Sequence, residues 1–274
     1  MLEKLTWSWQ WFVLLAGIVS LYGVFIYRYA KNELIRLQPI SFLLGCLLIF
    51  LMLGSPFTTL SQVSITLHMI QMSVLFFFVP PLLQLGIPPS LFDGMARWLK
   101  RSKLSSMHLS PTTSLSIFAI LFLFYHTSII LTFLVSRPVV HTGYLLLLFL
   151  LSFGMWKPFA SPDPLLRLCA CKMKRYAFLS GLAITPACLL FIASGFFEGA
   201  TNPLALQLLA HLCGPDFMDS FSLLPAPFHT KHDRILAGVL MMVLHKSSLV
   251  VTLKLERNIS SVFYEKLERD CWKD

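Results

Sequence analysis

Residues 65–85 read ITLHMIQMSVLFFFVPPLLQL, a run that contains no Asp, Glu, Lys or Arg. A helix needs about 20 mostly apolar residues to cross the hydrocarbon core of a bilayer. Further apolar runs accompany this one, and together they predict seven transmembrane helices at 9–29, 40–53, 65–85, 115–135, 139–159, 177–197 and 235–253. The sequence therefore predicts an all-α integral membrane protein, built as a single seven-helix bundle.

The composition excludes a soluble protein. Only 13% of the 274 residues are charged and 56% are hydrophobic, whereas soluble domains carry about 25% charged residues. The first apolar run is longer than the core of a signal peptide, and Tyr27-Arg28-Tyr29 offers no small-residue cleavage site. We therefore expect this run to be retained as the first transmembrane helix.

The basic residues predict how the bundle is oriented. The formal net charge is +9, a value that would suggest nucleic acid as a partner of a soluble protein. Here the Lys and Arg residues lie mainly in the segments after the first, third, fifth and seventh runs. Cytoplasmic loops of membrane proteins carry this excess. The pattern places the N-terminus outside and residues 254–274 in the cytoplasm as a tail, with no role in nucleic-acid binding.

Prolines predict irregularities in two spans. Pro80 and Pro81 lie near the inner end of the third span, and Pro186 lies in the middle of the sixth. Proline removes a backbone donor and crowds the preceding turn of a helix. We expect a bend or break at the proline pair and a kink at Pro186.

Four histidines fall within or beside the predicted spans. His68 and His141 begin the third and fifth spans, while His126 and His245 lie within the fourth and seventh. At about 1.5 Å per residue, the first two should lie within a turn of the outer surface, and the other two should lie about 14–17 Å below that surface, near mid-membrane. Ionisable groups in such helices usually face the bundle interior. All four are therefore predicted in the outer half or the centre of the membrane.

Methionines accompany two of these histidines at helical spacing, Met72 four residues after His68 and Met241 four residues before His245. Residues three or four positions apart share a helix face, and thioethers with imidazoles suit Cu(I). The predicted copper ligands are His68, Met72, His126, His141, Met241 and His245. The alternative is structural, since Met fills cores and a lone His often hydrogen-bonds a neighbouring helix.

Other candidate residues lie outside the spans. Cys169 and Cys171 form a CxC pair in a basic inner segment, which could bind Cu(I) or hold two reduced thiols. The outer segment 198–233 could capture metal or carry ordinary surface residues; its candidates are His211, Cys213, His229 and His232. The cluster Phe76-Phe77-Phe78 favours packing or lipid contact over a cofactor site.

Several enzyme classes lack their motifs. The chain contains no GxGxxG, GxxxxGK[ST], GxSxG or HExxH pattern, so nucleotide-binding, serine-hydrolase and zinc-protease functions have no support. Lys246 in the seventh span invites comparison with retinal proteins. Residues 65–85 contain no Asp or Glu to serve as its counter-ion, so the sequence argues against a retinal protein.

A series of short motifs runs along the chain between residues 54 and 245. They are Gly54-Ser55-Pro56, His68-Met69-Ile70-Gln71-Met72, Val79-Pro80-Pro81-Leu82-Leu83, Leu85-Gly86-Ile87-Pro88, Tyr125-His126, His141 with Tyr144, Trp156-Lys157-Pro158, Thr185-Pro186-Ala187 and Asp233 with Ala237-Gly238. Their order and placement resemble the polytopic CtaG family of bacterial cytochrome c oxidase assembly factors. The chain departs from many relatives at Met72, where they have a second histidine.

The resemblance implies a role in assembling caa-type cytochrome c oxidase in the bacterial plasma membrane. It also implies copper as cargo, held or delivered on the outer face for the CuA centre of subunit II, which would then be the partner. Two alternatives stay open: a transporter of copper or a small molecule, and an assembly scaffold without metal. The outward concentration of polar groups fits a one-sided site better than a transport path.

Overall fold

The computed structural model describes residues 7–30, 37–94, 109–163, 166–168, 170–197 and 231–271. Across these ranges the chain forms helices and no strand. The α-helices are α1 Trp9–Phe25, α2 Leu37–Ile49, α3 Phe57–Val63, α4 Ile65–Ser73, α5 Val79–Gly86, α6 Pro111–Tyr125, α7 Ser128–Val135, α8 Pro138–Ala160, α9 Ala170–Phe197 and α10 Lys231–Cys271. Wider π-helical turns extend three of them, at Ile26–Ala30, Phe50–Gly54 and Val74–Phe78. The predicted all-α membrane class is confirmed.

Six helices in these ranges are long and apolar enough to cross a membrane. They are Trp9–Arg28, Leu37–Gly54, Ile65–Gly86, Pro138–Ala160, Lys172–Phe196 and His232–Ser260. The predicted fourth span, 115–135, is wrong as one continuous helix, because the chain bends by 84° between α6 and α7. The described residues therefore contain six continuous spans, or seven if this bent pair counts as one.

The proline pair does not break the third span, contrary to expectation. Residues Ile65–Gly86 stay helical because the π turn Val74–Phe78 precedes Val79 and the prolines. Pro80 has no N–H to donate to the carbonyl of Phe76 four residues earlier. The indole Nε1 of Trp156 donates to that carbonyl instead, at 3.0 Å. A side chain from α8 thus supplies the hydrogen bond that the proline removes.

Close helix contacts depend on two glycines. At Gly86 in α5, a Cβ would lie 2.6 Å from the backbone nitrogen of Phe42 in α2. At Gly238 in α10, it would lie 2.6 Å from the carbonyl oxygen of Cys188 in α9. Small residues let membrane helices approach in this way. The core between the helices is aromatic, and its fully buried members include Phe76, Phe77, Phe118, Phe122 and Trp156.

The two ends of the bundle differ in charge. At one end the carboxylate of Asp233 in α10 contacts the start of α4. At the other end Arg167 forms a 3.0 Å ion pair with Glu256 of α10. The described basic residues lie mainly towards this second end, and they include Arg28, Lys157, Arg167, Lys172, Lys174, Arg175, Lys254 and Arg257. By the positive-inside rule, the Asp233 end is predicted to face outward.

Candidate functional site

Tyr125, the last residue of α6, joins two of the predicted site histidines. Its hydroxyl lies 2.9 Å from Nε2 of His141 in α8 and 3.3 Å from Nε2 of His68 in α4. The phenol has a single hydrogen to donate, so satisfying both contacts requires one imidazole to accept and the other to donate. Three helices thus meet at one buried hydroxyl, which we call the Tyr125 centre: Tyr125, His68 and His141.

The helix break places His126 beside this centre. His126 ends α6 with φ −92° and ψ 2°, and Thr127 is extended before α7 begins. The imidazole Nδ1 lies 2.6 Å from the carbonyl oxygen of Phe122, while the hydroxyl of Thr127 donates to Phe124. These two side chains form hydrogen bonds with carbonyl oxygens in the last turn of α6, where the helix no longer supplies backbone N–H donors.

One ring nitrogen of His126 has no partner in the described structure. Its Nε2 atom is buried and forms no hydrogen bond, and the side chain as a whole is 5% exposed. Buried polar atoms are nearly always hydrogen-bonded, so an exception calls for an explanation. In metal-binding histidines, one ring nitrogen usually forms a hydrogen bond that fixes the ring, and the other nitrogen binds the metal. His126 is therefore available as a ligand beside the Tyr125 centre.

The start of α4, which carries His68, is fixed by Asp233. The carboxylate of Asp233 accepts from the Ser64 hydroxyl at 2.8 Å and from the backbone N–H groups of Ile65 and Thr66 at 2.8 and 3.0 Å. An acidic group at a helix N-terminus satisfies donors that have no partner within the helix and complements the helix dipole. The sequence pointed to Asp233 through the family resemblance alone, without this role.

A second support for α4 was missed from the sequence. Gln71, one turn after His68, donates from Nε2 to the carbonyl oxygen of Met52 at 2.6 Å. Its Oε1 accepts from the hydroxyl of Ser61 at 2.8 Å. A glutamine in an apolar run was the available signal, since a buried amide needs partners. Its amide orients α4, and with it His68, against the chain around residues 52–61.

His245 lies apart from the Tyr125 centre. Its ring packs edge-on against Phe77 at 4.9 Å between ring centres and lies 6.4 Å from that of Trp156. Its Nε2 atom is buried and unpartnered, like that of His126. Met72 and Met241 are buried at 4% and 0% exposure within the main apolar core. The described structure therefore gives the two methionines packing roles, and their role as copper ligands stays a prediction.

No group of three His, Cys, Asp or Glu side chains that could hold a metal ion occurs in the part of the chain described. The geometry of the Tyr125 centre offers two imidazole nitrogens that face one hydroxyl, with His126 next to it. That arrangement can bind a soft cation through a few nitrogens, and it can also stand as a hydrogen-bonded network. It does not form a closed structural metal site with a full ligand shell.

Some predicted residues lie outside the described ranges. These are Cys169, His211, Cys213 and His229, together with most of the outer segment 198–233; the side chain of Cys171 is likewise not described. Of that segment, His232 is exposed and Asp233 is buried. Phe76 and Phe77 are buried in the core, which confirms their predicted packing role.

A family model described as cytochrome c oxidase caa3 assembly factor (Caa3_CtaG) matches residues 20–255. No curated protein and no solved structure matches the chain. Most of the chain, with all the histidines of the Tyr125 centre, lies within the matched range. The apolar helices fit a multi-pass protein of the bacterial plasma membrane, where this oxidase is assembled. The chain belongs to the family of caa3-type cytochrome c oxidase assembly factors.

Proposed function

We propose that this assembly factor holds Cu(I) at the outer end of its bundle and passes it to the CuA centre of oxidase subunit II. The observation that carries the proposal is the pair of imidazoles, His68 and His141, that face the Tyr125 hydroxyl, with His126 beside Tyr125 and its Nε2 atom left without a partner. Copper here is cargo, and the protein acts as a chaperone for it, not as an enzyme.

The donor chemistry supports copper over harder cations. Imidazole nitrogen suits Cu, Zn, Fe and Ni, whereas Mg, Ca and Mn prefer oxygen ligands. Asp233, the nearby carboxylate, is engaged with the start of α4. A centre that offers imidazoles without a free carboxylate therefore favours a soft or borderline ion.

The open ligand set suits a carrier. A structural zinc site closes four ligands around its metal and releases it reluctantly. The Tyr125 centre brings the Nε2 atoms of His68 and His141 to one hydroxyl, and the ring of His126 lies next to that of Tyr125, 4.9 Å away between ring centres. A metal bound by so few groups can be given up to a receiving site that has more ligands. The centre lies at the end of the bundle predicted to face outward, the side on which CuA is assembled.

A metal-free scaffold is the second candidate, and one observation favours it. His68 and His141 already have a hydrogen-bond partner in the Tyr125 hydroxyl. Buried imidazoles that are hydrogen-bonded in this way can have a purely structural role, in which they hold three helices together. In that case the chain would support oxidase assembly by contact with its subunits.

Copper content after anaerobic Cu(I) loading separates these two functions. The wild-type protein, purified in detergent, should retain about one copper per chain after desalting. His68→Ala, His126→Ala and His141→Ala should each lower that amount, while His232→Ala, which changes an exposed histidine at the same end, should not. A folded wild-type protein that retains no copper would favour the scaffold.

A further inference from the structure

Lys246 lies at the centre of the longest span. The span His232–Ser260 extends 14 residues to either side of it, which at about 1.5 Å per residue is about 21 Å. Its neighbour His245 is buried, whereas Lys246 is exposed on the outside of the bundle. The centre of this span is predicted to lie at mid-membrane depth, where the exposed side chain of Lys246 would face lipid and not the interior of the bundle.

Lys246 belongs to a regular stripe on α10. Val239, Val243 and Val250 are 42%, 51% and 59% exposed, and with Lys246 they follow one another at intervals of four, three and four residues. That heptad-like spacing is the one by which two helices pack along a seam. We call these four residues the Lys246 face.

The described part of the chain offers no carboxylate to Lys246. Among the described residues, Lys246 forms no hydrogen bond or ion pair. On its own helix the nearest acids are Glu256, ten residues away, and Asp233, thirteen residues away, which is about 15 and 20 Å along the axis. Both are engaged, with Arg167 and with the start of α4. The other five continuous spans contain no Asp or Glu.

An unpaired cation at this depth is unfavourable. Charged residues in spans almost always pair, line a cavity, or extend to the interface. From the middle of a hydrocarbon core about 30 Å thick, the lysine stem falls short of either interface. A carboxylate supplied by another molecule at the same depth would stabilise the ammonium group directly.

We propose that the Lys246 face docks a transmembrane helix of another protein that carries an Asp or Glu at mid-membrane depth. A second copy of this chain does not fit, because none of the six continuous spans has an acid at that depth. The valines supply the apolar seam and the ion pair fixes its register. The surface is independent of the Tyr125 centre, so it can hold a membrane partner whether or not copper is bound.

The test uses the full chain reconstituted in phosphatidylcholine vesicles with a biotinylated polyleucine transmembrane peptide. One peptide carries a single central Glu and its control a central Gln. A photo-crosslinking amino acid at Val243, one turn from Lys246 on the same face, reports contact. The Glu peptide should crosslink to the otherwise wild-type chain about tenfold more than the Gln peptide, the scale expected for one polar contact between membrane helices.

Variants assign the preference to the lysine. Lys246→Met should abolish it and Lys246→Arg should keep it, while Lys254→Met, an exposed lysine two turns further along α10, should leave it unchanged. Lys246→Glu should prefer a peptide with a central Lys. Equal crosslinking of the Glu and Gln peptides to the wild-type lysine, or an unchanged preference in Lys246→Met, would overturn the proposal.

Discussion

Replacing Asp233 by Ala should destabilise the protein through the start of α4. The carboxylate accepts three hydrogen bonds of 2.8–3.0 Å, from Ser64, Ile65 and Thr66, and Asp233 is only 5% exposed. Hydrogen bonds to charged groups contribute about 1.5–3 kcal/mol each. Because the three bonds share one carboxylate and their contributions are not additive, we expect a total loss of about 3–4 kcal/mol.

Asp233→Asn should cost about half as much, roughly 1.5–2 kcal/mol, because one amide oxygen remains while the NH₂ group opposes a backbone donor. Unfolding in detergent, followed by tryptophan fluorescence against denaturant, measures both variants. Asp93→Ala removes an exposed acid and should leave stability unchanged. Since His68 follows Thr66 by two residues, copper retention should fall together with stability. A loss below about 1 kcal/mol in Asp233→Ala would refute the capping role.

Three further predictions concern the bundle. Tyr125→Phe removes the hydroxyl shared by His68 and His141 and should cost about 1–2 kcal/mol without copper. Because copper bound between the two imidazoles would take the place of the lost hydrogen bonds, Cu(I) loading should raise the Tm of this variant more than that of the wild-type protein, and an equal rise would contradict copper binding there. Trp156→Phe leaves a buried carbonyl unbonded and should cost about 1–3 kcal/mol, measured by denaturant unfolding. Gly238→Ala places a Cβ 2.6 Å from the backbone of α9 and should lower Tm, whereas Gly17→Ala, with open space around it, should not.

The helical class and most spans could be predicted from the sequence because both depend on local properties. Six of the seven predicted spans correspond to continuous helices in the described residues, since the length of an apolar run and the bilayer thickness set the answer without knowledge of packing. The grouping of His68 and His141 was also predictable. Both histidines lie in the first turns of spans that start at the same end of the bundle, so the order of the spans places both of them at that end.

The break at His126 could not be predicted from apolar character. The stretch from Leu121 to Val135 contains no Pro or Gly, so it has the hydropathy of one span. Contacts distant in sequence accompany the bend: the hydroxyl of Tyr125 reaches α4 and α8, and the hydroxyl of Tyr144 donates to the carbonyl oxygen of Leu121 at 2.7 Å. The bend ends α6 at Tyr125, so His126 caps the end of a helix instead of lying within one.

The supports of α4 were likewise beyond sequence reasoning. The bond from Asp233 to Ile65 spans 168 residues, and no periodicity relates the two positions. The same holds for the indole of Trp156 and the carbonyl of Phe76, which are 80 residues apart. A proline in a helix predicts that one backbone carbonyl lacks its usual N–H donor, but only the packed structure shows which side chain replaces that donor.

X-ray absorption of the Cu(I)-loaded protein identifies the atoms bound to the metal and therefore tests whether the Tyr125 centre holds copper. We expect imidazole nitrogen ligands whose signal falls in both His68→Ala and His141→Ala. A copper ion bound by sulfur alone, with the same spectrum in both variants, would contradict the assignment of the Tyr125 centre as the copper-holding site.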